Sequence, residues 1–402
     1  MPEQASKRSP EQLAEQLAER SPEQMAEQMP EQAPNLLAGD FSNQSPSHFP
    51  NQLPNQNLEH CLGQNSKQWV VVRLSALGDV VLTTGVLEHW HKTKGWRFII
   101  LTRQGLGDIF KGHPAVDEVV NLHSHELDFP VNLGTFAKLA RKYSGLGLID
   151  LHDTLRTRLL AALWRGRVVR YNKLSVQRRF FLLSGNKCFE QDLLACNVPQ
   201  RYALAVDNEV SPASKLIPRI FLSQQEKEEA KNLLQEKQLA NNVPLVALHP
   251  YATHTQKAWP YEHWHQLLQE LKAQGLSWII IGRDEATQFK RLGEVAGGCD
   301  FTNQTNLRQT CALLSHASML ITADSGPMHL ACAVNIPVLA LFRPTTRHWG
   351  FFPSGANDRV LEAQTLGRPY SLHGQSKNKG QNCMKTISCA TVLAEVKSML
   401  KL

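Results

Sequence analysis

Two doubly wound α/β domains facing a central cleft, preceded by a low-complexity N-terminal extension, are the fold class this 402-residue sequence predicts. Three observations predict it. From Trp69 onward, short apolar β-branched runs alternate with helix-length amphipathic segments, the pattern of a parallel sheet covered on both faces. The series loses regularity and then restarts at a capping box, Ser223-Gln-Gln-Glu226. The chain is too long for one ordinary core and suits two domains of roughly 150 residues each. The expected organisation is an extension over 1–66, a first domain over 67–222 and a second over 223–402.

The extension carries no core pattern. A 12-residue repeat runs from Ser9 to Gln32, with Ser9-Pro-Glu-Gln-Leu-Ala-Glu-Gln returning as Ser21-Pro-Glu-Gln-Met-Ala-Glu-Gln. Each copy has a helix-start signature, yet helices this short are marginal alone. Asn/Gln/Pro-rich text follows, and the segment reads as disordered, with a docking tail as the alternative. In the first domain the strand candidates are Trp69–Leu74, Arg97–Thr102, Glu118–Leu122, Leu146–Leu151 and Arg167–Tyr171, with helices over Val81–Lys94 and Leu155–Trp164. In the second they are Pro244–His249, Leu276–Gly282, Met319–Thr322 and Pro337–Phe342. Helices are expected from Ser223 to about Leu239 and over Tyr261–Ala273, Ala286–Ala296, Leu307–Ser315, Pro327–Val334 and Leu393–Leu402. In each open sheet the ligand end is the carboxyl edge of the strands.

Composition narrows the class. A hydrophobic fraction of 42% and a charged fraction of 20% are globular values. No run of about 18 uncharged apolar residues occurs, so no membrane-spanning helix is expected. The N-terminus has no apolar leader, which points to a cytoplasmic protein. The eight cysteines are scattered without a C-x-x-C pair, as free thiols in a reducing compartment would be. A net charge of +7 favours an anionic partner without naming it.

Three loops at strand ends carry candidate chemistry. The first is Arg73-Leu-Ser75-Ala-Leu-Gly78-Asp79. It lacks the G-x-G-x-x-G pattern, so no nicotinamide fingerprint is present. Asp79 opens a helix; it reads as a general base facing the cleft or as a plain capping aspartate, and spacing alone favours the latter. The second is His249-Pro-Tyr-Ala-Thr253-His-Thr-Gln-Lys257-Ala-Trp259-Pro260, where a lysine beyond a strand end can hold a diphosphate as a point charge. An ordinary solvated loop is the alternative. The third is Ala323-Asp324-Ser325-Gly326-Pro327-Met328-His329, where small residues leave helix N-terminal N–H groups free for an anion. His329 adds a donor there or is simply a buried, hydrogen-bonded histidine. The segment is not a G-x-S-x-G elbow.

A fourth feature is charge. Between Thr154 and Phe189 no acidic residue occurs, while Arg156, Arg158, Arg165, Arg167, Arg170, Lys173, Arg178, Arg179 and Lys187 do. This is a solvated basic face or a surface for a phosphorylated or carboxylated acceptor or an anionic leaflet. No nucleic-acid module accompanies it, so nucleic acid is not an expected partner. The pairs His89/His91 and His263/His265 point to different helix faces, and Asp150-Leu-His-Asp153 is not D-x-D, so no metal is expected.

Together, several segments resemble the ADP-heptose:lipopolysaccharide heptosyltransferases. They are Val72-Arg-Leu-Ser-Ala-Leu-Gly-Asp-Val-Val-Leu-Thr-Thr84, Ile149-Asp-Leu-His-Asp-Thr-Leu-Arg156, Lys257-Ala-Trp-Pro260, Thr322-Ala-Asp-Ser-Gly-Pro-Met-His-Leu330 and Cys383-Met-Lys-Thr-Ile. The resemblance runs from about Trp69 to the C-terminus. It implies the GT-B architecture of two Rossmann-like domains and an inverting, metal-independent transfer without a cofactor. By the same resemblance Asp79 is the base. Thr253 and Lys257 bind the donor diphosphate, Asp324, Ser325, Gly326 and His329 hold the donor sugar and phosphates, and Glu285 touches the nucleotide. Ser75, Gly78, Arg156 and Arg178 fall on the acceptor side. The implied partners are an ADP-sugar and an anionic glycolipid of the lipid A/Kdo type, met at the inner face of the cytoplasmic membrane. Asp153 stands where the family commonly has glycine, a difference on the acceptor side. A related transferase with another nucleotide sugar or acceptor glycan, and a non-catalytic nucleotide-sugar-binding protein, are the alternatives.

Overall fold

Strand β1 (Gln68–Val72) lies at the middle of a five-stranded sheet with β2 (Arg97–Arg103), β3 (Val116–Leu122), β4 (Gly147–Asp150) and β5 (Val168–Arg170), in the order β3-β2-β1-β4-β5. The computed structural model describes residues 67–402 except 240–242, 285–288, 344 and 364–382. The Ser9–Gln32 repeat, the extension expected over 1–66, and Glu285 therefore lie outside the described residues. All strand pairings of this sheet are parallel. Trp69–Val72 are all buried, as a strand covered on both faces requires. Helices α1 (Leu77–Lys94), α2 (Val131–Lys142) and α3 (Leu155–Leu163) follow β1, β3 and β4.

Three short helices come next, α4 (Ser175–Ser184), α5 (Lys187–Leu194) and α6 (Val198–Ala203). They fill the stretch that breaks the sequence pattern. Their side chains pack on the other half of the protein: Phe181 and Leu193 form one buried cluster with Trp349.

The second sheet holds β6 (Leu245–His249), β7 (Ser277–Ile280), β8 (Gly298–Asp300), β9 (Met319–Ala323), β10 (Val338–Phe342) and β11 (Arg359–Glu362). Its order is β11-β10-β9-β6-β7-β8 and every pairing is parallel. Helix α7 (Gln224–Glu236) precedes it, capped by Ser223 with Glu226 returning the bond, as the capping box predicts. Helices α8 (Tyr261–Ala273), α9 (Leu307–Leu314), α10 (Gly326–Ala333) and α11 (Cys389–Leu400) complete the layers.

Three details differ from the sequence reading. The edge strands β8 and β11 were not expected, since β8 has no β-branched residue and β11 only Val360. Within the helix expected over Ala286–Ala296, the described part is a 3-10 turn at Lys290–Glu294. Gly293, Gly297 and Gly298 make a longer helix costly there. Helix α1 begins at Leu77, four residues ahead of the expected Val81.

The described residues cluster as one unit, and the reason is visible in the core. A single buried cluster runs from Trp69 and Val71 of the first sheet through Val80, Val81, Val86 and Leu87 of α1 to Met328, Leu330 and Ala331 of α10 and Leu320 and Ala340 of the second sheet. Helix α1 buries Val80 through Glu88 without a break, so this part of it is covered on every side, with Thr83 and Thr84 bonding back to the Val80 and Val81 carbonyls. Arg308 adds a polar tie. It forks onto both carboxylate oxygens of Glu226 at 2.7 and 2.8 Å and donates to the Phe221 carbonyl at 2.7 Å. The seven described cysteines are free thiols. Among the described residues no helix is long and apolar enough to cross a membrane.

Candidate functional site

In the first sheet the order reverses between β1 and β4, and in the second between β6 and β9. Open parallel sheets bind ligands beyond the strand ends at such points. The loops leaving β1 and β9 lead into α1 and α10, and the N-terminal ends of these two helices meet. A β-carbon on Gly78 would lie 2.5 Å from Cδ2 of His329, and one on Gly326 would lie 2.8 Å from Cδ2 of Leu77. Glycine at both positions is what lets the two helix ends approach.

Asp79 sits at this junction. Its Oδ1 accepts from Arg73 Nη2 at 2.5 Å and from the Tyr202 hydroxyl at 3.0 Å, while Oδ2 accepts the Ala76 N–H at 3.3 Å. The last bond is the helix-end role that spacing suggested. The first two are not local: Tyr202 lies on α6, and its ring is fully buried. Arg73 is itself buried, donates to the Leu151 carbonyl at 2.5 Å and lies over the Tyr202 ring. Burial opposes its charge, but Tyr202, Asp79 and Tyr171 outweigh that and hold the guanidinium more firmly protonated than usual. One carboxylate oxygen is thus pinned by two buried donors, and the other carries a single long bond.

Across the junction, Lys257 ends a 3-10 turn after β6, and its Nζ reaches Asp324 Oδ2 at 2.8 Å. Thr345 donates to the same oxygen at 2.6 Å. Trp259 anchors the turn; it is fully buried and donates from Nε1 to the Ile387 carbonyl at 2.8 Å. Ser325 is the N-cap of α10 but makes no side-chain cap bond. Its hydroxyl instead meets Thr322 Oγ1 at 3.0 Å and His249 Nδ1 at 3.3 Å. The first turn of α10 therefore keeps its backbone donors clear of that side chain, as an anion site needs. His329 is buried, and burial lowers its basicity against the opposing pull of Asp324 and Asp79. Burial alone pushes His249 down to about 4. Thr253 stands exposed at the bend before the turn.

The acceptor-side residues divide. Ser75 follows β1, and its backbone bonds the His152 ring. Arg178, on α4, donates to the Trp349 carbonyl at 3.3 Å and lies over the Phe351 ring at 5.8 Å. Burial lowers its basicity, countered by Tyr171, Tyr202 and Asp79. Arg156 is not gathered with these; it is exposed and pairs with Asp128 at 3.2 Å. Its position on the first turn of α3 aims it outward. Asp153, where the resemblance leads one to expect glycine, has φ 45 and pairs with Arg158 at 2.9 Å. The left-handed backbone is the reason a glycine suits the position.

Several neighbours were not singled out from sequence. His152 is lowered to about 4 by burial and by Arg73 and Lys173. Lys173 is half-buried, its basicity lowered by burial and by Arg73, with Asp79 and Asp153 opposing. Arg73, His152 and His249 lay inside the quoted motifs, whereas Tyr202 and Thr345 had no local signal. A groove of about 780 Å³ lies elsewhere, beside Ile217–Leu222 and the C-terminal half of α1, and is lined by none of the expected site residues.

Two parallel-sheet domains whose switch points converge at the ends of α1 and α10 have the architecture of the GT-B class. Residues 148–380 match glycosyltransferase family 9 (heptosyltransferase), more than half of the chain, and the protein belongs to that family. The lipooligosaccharide heptosyltransferase 2 of Haemophilus influenzae is 28% identical over 239 residues, spanning 55% of this chain and 68% of that one. Among solved structures, the glycosyl transferase family 9 protein of Veillonella parvula superposes with a TM-score of 0.66 at 18% identity, over 83% of this chain and 97% of that chain. The E. coli ADP-heptose lps heptosyltransferase II does so with a TM-score of 0.62 at 19% identity, over 83% and 98%. At these identities the superpositions speak to fold alone.

Proposed function

We propose that the protein transfers heptose from ADP-heptose to the inner core of lipopolysaccharide by a single displacement that inverts the anomeric carbon. The observation that carries this reading is the opposition of Asp79 to the Lys257–Asp324 pair and the first turn of α10, joined by the Gly78–His329 contact. A displacement of this kind needs a base on one side and stabilised leaving-group charge on the other.

Asp79 takes the proton of the acceptor hydroxyl on Oδ2, the less engaged oxygen, while Arg73 and Tyr202 fix the carboxylate through Oδ1. Lys257 and Thr253, with the N–H groups opening α10, hold the diphosphate, and Asp324, Ser325 and His329 hold the donor sugar. A neutral His329 donates one ring N–H without competing for the phosphate charge. Glu285 remains assigned to the nucleotide by resemblance. Lys173, Arg178 and Ser75 bind the acidic acceptor, and no metal or cofactor takes part. The family and the names of its relatives support the donor and acceptor classes. The acceptor being a lipid, the enzyme works at the inner face of the cytoplasmic membrane.

The Asp153–Arg158 pair favours one variation, the same transfer to an acceptor of different core structure, because it fills a place that glycine leaves open. The test is ADP release from ADP-heptose with a heptose-deficient lipopolysaccharide acceptor, comparing the wild type with Asp79→Asn. Acceptor-dependent release that collapses in the variant supports transfer and base together. Equal release in both removes Asp79 from the mechanism. No release from either, with other nucleotide sugars active, moves the assignment to another donor.

A further inference from the structure

Helix α4 has two faces of different chemistry. Inward, Phe181 stacks on His348 and packs against Trp349, and Arg178 reaches the Trp349 carbonyl. Outward, Val176, Phe180 and Leu183 are 60%, 42% and 59% exposed. Their spacing of four and three residues puts them in one stripe along the helix. Arg179 lies on the same exposed face, and Lys187 is exposed at the start of α5, against which α4 packs. The helix carries no acidic residue, and the first carboxylate beyond it, Glu190, is engaged with His348 at 2.9 Å.

Large apolar side chains standing in water among cations mark a contact surface. A second copy of this chain is a poor occupant, because a twofold contact of the same face would set Arg179 and Lys187 against their own kind. An anionic bilayer satisfies both halves of the face: apolar side chains enter the acyl boundary while the cations meet the headgroups.

We propose that the outward face of α4 is a shallow insertion surface for an anionic lipid bilayer, which brings a membrane-anchored acceptor to the edge of the cleft. The proposal deepens the lipid-acceptor reading and rests on it for its purpose, since Arg178 on the same helix borders Asp79. The transferred sugar then needs no extraction of the lipid anchor; only the headgroup glycan enters the cleft.

The test is cosedimentation of the full chain with vesicles of phosphatidylglycerol and phosphatidylethanolamine, and with vesicles of phosphatidylcholine alone. The wild type is expected on the anionic vesicles and not on the neutral ones. The variant carrying Val176→Ser, Phe180→Ser and Leu183→Ser should lose vesicle affinity by roughly tenfold or more. Its circular dichroism and its activity on a deacylated acceptor should be unchanged. Single Phe180→Ser serves the same comparison if the triple variant unfolds. Arg179→Gln with Lys187→Gln should weaken binding at low salt and matter little at high salt. Equal vesicle binding by wild type and triple variant overturns the proposal. So does self-association that the triple variant abolishes without any vesicle binding, which assigns the face to a second copy. Vesicle binding lost in the triple variant of a protein that transfers no heptose keeps the surface and removes the transfer reading, so the two failures are told apart.

Discussion

The imidazole of His329 occupies the space that a side chain at position 78 would need: a β-carbon on Gly78 would stand 2.5 Å from its Cδ2. Gly78→Ala must therefore displace His329 or separate α1 from α10. We expect a loss of about 1–3 kcal/mol, the range for forced overpacking, together with a higher KM for the donor. His329→Ala alone should also weaken donor binding. In the double variant the stability loss should be smaller than the two single losses added, because the clash is gone. Additive stability losses in thermal melts would show that the two residues do not share the space.

Asp79→Asn should lower kcat by about 10²- to 10⁴-fold, the contribution of a positioned general base. Tyr202→Phe tests the residue behind it. It removes a donor to a carboxylate from a buried site, an interaction of about 1.5–3 kcal/mol, so kcat should fall at least tenfold with little change in KM. A variant with normal kcat and a shifted KM would place Tyr202 in binding and not in fixing the carboxylate.

Lys257 and Asp324 need each other in the free protein, both being mostly buried and 2.8 Å apart. Lys257→Met should reduce ADP affinity at least tenfold by removing the point charge, read by calorimetric titration of ADP. It also leaves Asp324 with Thr345 alone, so the melting temperature should fall as well. Undiminished ADP affinity would take Lys257 out of the diphosphate site.

Stability should fall in acid in two stages. His249, ordinarily near 6.5, is pushed down to about 4 by burial. Below pH 6.5 the unfolded chain takes a proton that the folded one refuses, so stability present above 6.5 is lost as pH falls towards 4, by up to about 3 kcal/mol. Glu226, ordinarily near 4.5, is held down to about 2, first by its bonds from Arg308. Its contribution is complete above pH 4.5 and is lost between there and 2. Denaturation midpoints measured at pH 7.5, 5.5 and 4 should fall for the wild type, and less for His249→Gln relative to its own value at pH 7.5. Arg308→Met should shrink the lower stage without abolishing it, because Glu226 then keeps only its bonds from the Ser223 N–H and hydroxyl.

The alternation of apolar runs was enough to read the central strands β1, β2, β4, β6, β9 and β10, since strands buried on both faces are written almost wholly in apolar residues. Edge strands β8 and β11 were not legible, because their few residues are half-exposed and owe their pairing to a neighbour already in place. The Ser223 capping box was legible because both partners lie within one helical turn. Asp79 and Lys257 could be singled out because each sits in a short motif at a strand end. What surrounds them could not: Tyr202 reaches Asp79 across 123 positions of chain, and no periodicity records such a pairing.

The sequence by itself determined the two-domain α/β class, the strand-end loops that hold the chemistry and the family, because these depend on local patterning and on short motifs in order. The tertiary structure decided which of the candidate side chains meet. It set Asp79 between Arg73 and Tyr202, closed Lys257 on Asp324, turned Arg156 away to Asp128 and left the stripe Val176–Phe180–Leu183 in water. Each of these depends on which elements the fold brings side by side, and that is fixed by contacts between residues far apart in the chain.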